Sequence, residues 1–358
     1  MSSRRARWAV PAGALVVTGG VLAGSLISSA SAAPGLPTRT PAQLLAEVAD
    51  ATAPPLTGTV VETASFGLPS LPATGSPTSL SSLLTGSHTI RVWYASPRHF
   101  RLAVPSSLSE SDVIRDGSTA WLWQSTLNKV TKYTLPASAP AEAVPHAPVT
   151  PQEAAKQVLA AVGPTTAVSV NPNVTVAGQA AYALVLAPKD HRSLVGQVQI
   201  DVDGKNGVPL RLQVFARGAS SPAFQVGFTA IQFVTPAAAD LSFTPPAGAT
   251  VTQENLSSGH GKPADTGGAA TIGKDWLTVL KLPSTGLTPG RPAAGGGSAN
   301  DDRVLSALLA AATSVHGAWG SGQLLRTSLV SVLITDSGTA YIGAVQPSVL
   351  YAAAQSSH

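Results

Sequence analysis

Few side chains in this sequence have the type and spacing that metal chemistry requires. Two histidines four residues apart would place two imidazole ligands on one face of a helix, and no such pair occurs. The chain has no cysteine, which excludes disulfides, thiolate metal sites and a cysteine nucleophile. We interpret the histidines as isolated surface or loop residues, at positions 88, 99, 146, 191, 260, 316 and 358.

Acidic residues come together in two places, and neither pattern favours catalysis or metal binding. Three acids between positions 110 and 116 could act as paired carboxylates, but they fall at the start of a predicted strand and at its turn, where acids are common. Asp201 and Asp203 resemble the start of a calcium-binding loop. The fifth and twelfth positions of that loop are Lys205 and Leu212, which cannot supply oxygen ligands.

Sequence motifs of the common enzyme classes are absent as well. The chain contains no G-x-S-x-G nucleophile turn, no H-E-x-x-H zinc motif, no Walker loop and no G-x-G-x-x-G dinucleotide motif. We therefore predict that the protein is not an enzyme and uses no metal or cofactor.

The composition favours a β-rich exported protein. Of the 358 residues 44% are apolar and only 11% are charged, and the 33 glycines and 29 prolines suit short strands and many turns. Residues 1–32 are typical of a signal peptide, with three arginines, an uncharged apolar run and Ala30-Ser31-Ala32 as the cleavage site. Because the apolar run, 8–27, is long enough to span a membrane, an uncleaved anchor is the alternative.

The net charge argues against nucleic-acid binding. The formal charge of +4 includes three arginines in residues 1–32, which contain no acid, so the mature chain carries +4 − 3 = +1. A charge this small gives no electrostatic attraction for phosphate backbones.

Two short helices and many strands are predicted between residues 40 and 250. Thr40-Pro41-Ala42-Gln43 and Thr150-Pro151-Gln152-Glu153 each place Thr as the N-cap and Pro at the first helical position, with the helices ending near Ala53 and Gly163. The stretches 197–203 and 209–217 alternate apolar with polar residues, the pattern of an antiparallel sheet with one dry face. A change of parity near Thr229-Ala230 predicts a β-bulge.

The stretch 112–133 predicts a hairpin that is apolar on both faces. Asp116-Gly117 provides the turn, because glycine accepts a positive φ without steric cost. Ala120 and Leu122 lie on one face of the second strand, and Trp121 and Trp123 lie on the other.

A second, smaller domain is predicted after a linker. Residues 254–271 have linker composition, and residues 284–300 are similar. Residues 301–315 have the periodicity of an amphipathic helix, a hairpin with a turn at 336–338 follows, and Pro347 begins a closing helix. We expect a signal peptide at 1–32, a main domain at 33–253, a linker at 254–271 and a small α+β domain at 272–358.

Three stretches resemble the LolA lipoprotein-carrier family and its relative RseB, the sigma-factor regulator. Val92–Leu102 (VWYASPRHFRL) resembles the family's strand, proline-containing turn and returning strand. The hairpin 113–133 resembles its aspartate-glycine hairpin with a tryptophan-bearing strand. Leu241–Val251 (LSFTPPAGATV) resembles its closing strand and Pro-Pro-x-Gly turn. The likeness covers residues 40–252 in order.

The resemblance implies an incomplete, strongly curved antiparallel β-barrel with short helices across its mouth, mainly β in class, enclosing an apolar cavity for acyl chains. In the carrier, an arginine immediately before the proline of the first motif ties the lid shut, and this chain has Ser96 there. A lid latched by that arginine is therefore not expected. Arg101 is either its substitute or a solvated strand residue.

The resemblance places one set of strand residues on the inner wall of the barrel. Trp121 and Trp123 should then point outward, where the second domain could cover them, although the opposite parity would put them inside. The expected ligand-binding residues are Val92, Tyr94, Phe100, Leu102, Val104, Val113, Ala120 and Leu122, and the pairing of position 113 with position 120 gives them one parity.

Two functions are consistent with this sequence. The first is an exported LolA-like carrier or receptor, in the cell envelope or secreted, whose partners are lipid or lipoprotein acyl chains. The alternative is an RseB-like regulator that senses lipid or lipoprotein and binds a membrane-anchored partner, an anti-sigma factor; for a carrier that partner would be a transporter.

Overall fold

Residue patterns that favour strands produce a large, curved sheet in the computed structural model. The structure describes residues 35–67, 85–106, 109–136, 139, 143–160, 162–256, 269–283, 307–308 and 310–356. The predicted fold class is confirmed: the chain is mainly β, and the large sheet curves without closing into a barrel. The predicted signal peptide and the loop 68–84 lie outside the described residues.

The large sheet has twelve strands in the order β12-β6-β5-β4-β3-β2-β1-β11-β10-β9-β8-β7. Every neighbouring pair is antiparallel except β12 and β6, which are parallel. The strands are β1 (Leu56–Ser65), β2 (Thr85–Ser96), β3 (His99–Pro105), β4 (Glu110–Asp116), β5 (Thr119–Gln124), β6 (Lys129–Thr134), β7 (Thr166–Val176), β8 (Gln179–Pro188), β9 (Val195–Asp203), β10 (Pro209–Ala216), β11 (Pro222–Gln232) and β12 (Thr250–Asn255).

The two predicted helices lie on the inner face of this sheet, the face whose side chains form the main core. Helix α1 (Pro41–Asp50) begins with the expected capping box: Thr40 Oγ1 accepts from Gln43 N at 3.2 Å, and Gln43 Oε1 accepts from Thr40 N at 2.9 Å. Helix α2 (Pro151–Ala160) ends three residues before the expected Gly163. Contacts place α1 against β7 and β8, and α2 against β10 and β11.

Turn chemistry determines the register of two strand pairs. Asp116 pairs with Thr119 across a two-residue turn in which Gly117 has φ +61°. Val113 pairs with Leu122, so the predicted pairing of 113 with 120 is wrong. The error is two residues, which leaves both side chains on the expected common face. The bulge near Thr229 is confirmed, because Thr59 pairs with Ala230 and Val60 with Phe228.

The closing strand comes later in the chain than the resemblance implied. A short helix, α3 (Ala238–Leu241), ends where the strand was expected to begin. Residues 242–246 have no regular secondary structure, and a turn that includes Gly248 at φ +78° follows. The edge strand β12 begins only at Thr250, after that turn. The expected strand at Leu241 is therefore wrong; the two prolines, which lack an N–H, are incompatible with pairing there.

A small antiparallel sheet follows, in the order β13-β14-β18-β17-β16-β15. Helix α4 (Pro347–Gln355) packs on it and buries Leu350 against Leu333 and Tyr341. Its strands are β13 (Ala270–Ile272), β14 (Val279–Pro283), β15 (Thr313–Gly317), β16 (Gly320–Arg326), β17 (Ser331–Thr335) and β18 (Thr339–Gly343).

The predictions for this second region are partly confirmed. The hairpin of β17 and β18 and the helix beginning at Pro347 are as expected. The predicted helix 301–315 is wrong at its end, because residues 313–317 form β15 and pair with β16, a tertiary pairing that overrides the helical periodicity. Residues 301–306 and 309 lie outside the described residues.

Specific contacts join the two sheets. Leu329, on the loop between β16 and β17, is buried in the main core beside the large sheet. Trp276 Nε1 donates to Thr166 Oγ1 at 2.8 Å, and Leu194 N donates to Ala344 O at 2.9 Å. The described residues from Leu36 onward form one compact unit. The boundaries predicted for the domains and the linker remain a prediction.

Candidate functional site: an apolar cavity under the curved sheet

A cavity of about 1010 Å³ lies between one end of the large sheet and the segments that cover it. Its sheet wall is aliphatic and aromatic, with side chains from β1, β2, β3 and β11. These residues are Leu56, Val92, Tyr94, Phe100, Leu102 and Phe228. Val48 of α1 and Val208, before β10, extend the same apolar surface.

Gly58 and the bulge at Thr229 shape this wall. Phe228 is buried and lines the cavity, and it sits beside Gly58 in β1. A Cβ atom on Gly58 would lie 2.9 Å from the Phe228 ring and 2.7 Å from the carbonyl oxygen of Ala230. Only glycine leaves this aromatic ring its place in the wall.

A non-helical lid segment, residues 143–150, covers the wall from the opposite side. Val144 through Thr150 line the cavity. Pro145 and Pro148 prevent helical hydrogen bonding, and His146 has φ +60°, so the segment runs across the opening as an irregular strap. Val149 is 37% exposed although it is apolar.

Helix α2 brings polar groups to the same cavity. Thr150 caps the helix by accepting from Glu153 N at 3.2 Å. Ala154 and Ala155 are buried, while Gln152, Glu153, Lys156 and Gln157 line the cavity. Gln157 Nε2 donates to Glu153 Oε1 at 3.0 Å, which holds these two side chains together. The cavity is thus apolar along the sheet and polar along α2.

The eight expected ligand-binding residues fall into two groups. Val92, Tyr94, Phe100 and Leu102 line the cavity. The other four pack in or against the main core on the same face, away from the cavity lining: Val104, Val113, Ala120 and Leu122. A role in ligand binding stays a prediction for the first group.

Sequence reasoning did not single out the lid segment or Phe228 as cavity walls, and it expected α2 only as one of the short helices across the mouth. The signal was present in part: Pro145 and Pro148 precede a capped helix, and Phe228 precedes the change of parity. No signal in the sequence places the lid segment opposite β2 and β3.

Arg115 is a second residue that sequence reasoning missed. It lies on the inner face and is fully buried. An arginine side chain is rarely buried to this extent unless other groups pair with it. Its Nε donates to Gly117 O at 3.2 Å, and its Nη2 donates to Ala139 O at 2.7 Å. These bonds join the β4–β5 turn to the chain between β6 and the lid segment.

Trp121 and Trp123 lie on the outer face of the sheet. This agrees with the first of the two predicted arrangements, in which the tryptophans point outward. The rings of Trp121 and Phe243 are tilted by 51° with their centroids 5.7 Å apart, and Lys132 Nζ lies 5.1 Å from the centroid of the Trp121 ring. The aromatic neighbour of Trp121 comes from the segment that follows α3, and the suggested cover by the second domain stays a prediction. The chain between α3 and β12 folds back onto the outer face.

The described residues contain no group of three or more His, Cys, Asp or Glu side chains that could hold a metal ion. In the same part of the chain, no helix combines the length and the apolar character needed to cross a membrane.

Comparison with known proteins gives likeness of structure only. No family model and no curated protein matches the chain. Among solved structures, the MucA/MucB complex of Pseudomonas aeruginosa has 14% identity and a TM-score of 0.45, covering 88% of this chain and 96% of that one. A LolA superfamily protein from Nitrosomonas europaea has 10% identity and a TM-score of 0.21, covering 57% and 99%. An uncharacterized conserved protein from Thermus thermophilus has 14% identity and a TM-score of 0.34, covering 60% and 98%.

The large curved sheet, which is not closed into a barrel and carries few helices, is consistent with the expected half-barrel. At these identities and TM-scores the likeness concerns the fold and does not extend to what this chain binds.

The residues around the expected latch position make other contacts. Ser96 Oγ lies 3.0 Å from His99 Nδ1 and accepts from Arg98 N at 3.3 Å, so it closes its own turn. Arg101 is neither a substitute for the latch nor a solvated strand residue. It forms an ion pair with Asp112 on the outer face, and its guanidinium carbon lies 5.5 Å from the centroid of the Trp93 ring. Burial raises the pKa of the Asp112 carboxyl to about 6, despite the opposing effect of Arg101.

Proposed function

We propose that this exported protein binds the acyl chains of a lipid or lipoprotein in the cavity beneath the large sheet. The observation that supports this is the cavity itself: about 1010 Å³, walled on the sheet side by aliphatic and aromatic residues. A well-formed apolar pocket with a few polar groups at one side is the usual form of a small-molecule site.

The energetics favour a chain-like apolar ligand. Each buried methylene contributes about 0.8 kcal/mol, so ten of them give about 8 kcal/mol before the entropy of binding is subtracted. Such a site needs no charged anchor in its interior. This agrees with the sheet wall, where the lining side chains contributed by β1, β2, β3 and β11 carry no charge.

Native mass spectrometry of the protein purified without detergent tests this function. We expect acyl lipid to copurify and delipidated protein to take up a fatty-acid probe at micromolar concentration. Val92→Asp should abolish uptake, because it puts a carboxylate into the apolar wall. Thr89→Asp, on the outer face of the same strand, is the matched control and should bind normally. Delipidated, folded protein that binds no acyl probe would refute the proposal.

Regulation is the second candidate function, and the joined small sheet favours it. Leu329 in the main core and the bond from Trp276 to Thr166 connect the small sheet to the sheet that walls the cavity. Ligand occupancy could reach a partner through this connection. If a sigma-factor and anti-sigma pair is encoded beside this protein, the purified outer domain of that anti-sigma factor should bind it, and lipid should change the affinity.

A further inference from the structure

The sheet wall of the cavity is longer across the strands than along them. Its side chains come from β3, β2, β1 and β11, which are neighbours in that order, and Val208 and Pro209 extend it to β10. Where a strand contributes two lining residues, as β2 and β3 do, they are alternate residues. Alternate residues lie about 7 Å apart, whereas the four strand spacings from β3 to β10 span about 19 Å.

Packed residues limit the wall along the strands. Beyond the lining, β1 and β2 continue inward with Val60 and Ile90, which pair with each other and are fully buried. In the other direction the strands end, because β1 begins at Leu56 and the turn after β2, at Pro97, already lines the cavity. A chain-like ligand that follows the apolar wall must therefore cross the strands.

Phe228 continues the wall from β1 to β11. In register it pairs with Val60, at the packed level, but its ring reaches back along β1 to Gly58. The β-bulge at Thr229 shifts the register at this point, and Gly58 leaves room for the ring because it has no side chain. On its other side, Gly58 pairs with Val92, which also lines the cavity. The ring thus fills the gap that a glycine would otherwise leave in the middle of the wall.

The cover of the cavity extends in the same direction. The lid segment leads directly into α2, and both line the cavity. Helix α2 contacts β10 and β11, at one end of the wall, and the lid segment faces β2 and β3, at the other. A chain that crosses the strands can therefore stay between wall and cover along its whole length.

We infer that the acyl chain lies across the strands, from β3 to the start of β10, and passes over the ring of Phe228; this inference rests on the proposed acyl-binding function. Phe228 then selects for chain length. A short chain makes most of its contacts at β2 and β3, where four lining residues lie, and does not reach the ring. A long chain passes β1 and gains the contact with Phe228.

Methyl NMR of the delipidated full-length protein tests the direction of the chain. Two stearate probes are used, one with a nitroxide near the carboxylate and one with a nitroxide near the methyl end. One probe should broaden the methyl signals of Leu102 most and the other those of Val208, because these residues lie at opposite ends of the wall. A chain along the strands would bring both labels close to the same methyl groups, and this result would overturn the inference.

Two phenylalanines of β11 test the role of Phe228. Phe228→Ala should weaken palmitate binding at least about tenfold, the equivalent of about two buried methylenes, and should leave octanoate binding nearly unchanged. Phe228→Leu, which keeps the wall filled, should show the same pattern at smaller size. Phe224→Ala is the matched control, because Phe224 packs against the main core on the same face, away from the cavity lining.

The control should bind both fatty acids as the wild type does. Unchanged palmitate binding in Phe228→Ala and Phe228→Leu, or equal losses for octanoate and palmitate, would overturn the selection for chain length. Wild-type protein that binds neither fatty acid would instead refute the proposed function.

Discussion

Two halves of the same sheet face are covered in different ways. In the filled half, β8 to β10, the inner residues Leu184, Ile200 and Leu210 are fully buried, and α1 and α2 contact these strands or their neighbours. In the hollow half, β2 and β3, Val92 and Leu102 face a cavity and an irregular lid segment. The difference lies in what covers them. Helices α1 and α2 pack on the filled half, whereas the hollow half faces the lid segment and the cavity-lining sides of the same two helices.

This contrast indicates how a binding site arises in such a fold. A curved sheet of twelve strands offers more inner surface than two helices of ten residues can cover. Protein interiors are normally close-packed. The part of the apolar inner surface that the helices leave uncovered is therefore available to a ligand.

The largest expected effect is a difference between two leucine deletions. Leu184→Ala, in the filled half, should lower the free energy of unfolding by about 2–5 kcal/mol because it creates a new cavity in a packed core. Leu102→Ala only enlarges an existing cavity and should cost about 1–2 kcal/mol. Urea unfolding of delipidated protein measures both. Equal losses would mean that the two halves are packed alike.

A buried acid on the outer face of β4, the strand next to the hollow half, should give a distinct pH dependence. The pKa of Asp112 is raised from 3.8 to about 6 by burial, so the folded state holds this proton more tightly than the unfolded state does. Stability should therefore fall as pH rises from about 4 to 6 and level off above that. Urea unfolding across this range measures it.

Asp112→Asn isolates this effect from other acids, because the amide does not titrate. Asp201, paired with Arg211 in the filled half, also has a raised pKa through burial and remains in both proteins. The difference between wild type and variant should slope only between about pH 4 and 6. A constant difference would show that Asp112 titrates normally in the folded protein.

The smallest expected effects come from the helix caps. Thr40→Ala removes the capping box of α1, over the filled half, and should cost about 1 kcal/mol. Thr150→Ala removes one bond at the start of α2 and should cost the same or less. It should also weaken acyl binding, because Thr150 and the first turn of α2 line the cavity, whereas α1 lines it only at the end opposite Thr40, with Val48 and Ala49. Thermal unfolding and a binding titration separate the two. Weaker binding in Thr40→Ala alone would contradict the contrast between the halves.

Local chemistry allowed much of the fold to be predicted from the sequence. The cap residues Thr40 and Thr150 and the bulge near Thr229 act over a few residues, and each appears as expected. The predicted hairpin also forms, but its two-residue turn is Gly117-Ser118, one residue later than the predicted Asp116-Gly117. The alternation of side chains along a strand predicted the correct face of the sheet for Phe100, Leu102 and the tryptophans. These features depend on backbone geometry that the local residues dictate.

Long-range pairing and covering could not be predicted in the same way. Residues 313–317 have helical periodicity but pair with β16 across a hairpin. Parity put Leu122 and Leu102 on one face, yet only Leu102 meets the cavity, because that depends on where the lid segment lies. Phe243 over Trp121 is likewise a contact between distant parts of the chain.

A crystal structure of the protein with a fatty acid brominated at its terminal carbon tests the central claim most directly. The bromine position would be located by anomalous scattering. We predict anomalous density against the wall formed by Val92, Phe100 and Leu102, beneath the lid segment. Bromine located outside this cavity, or a cavity without density at saturating ligand, would contradict the assignment of the hollow half as the acyl site.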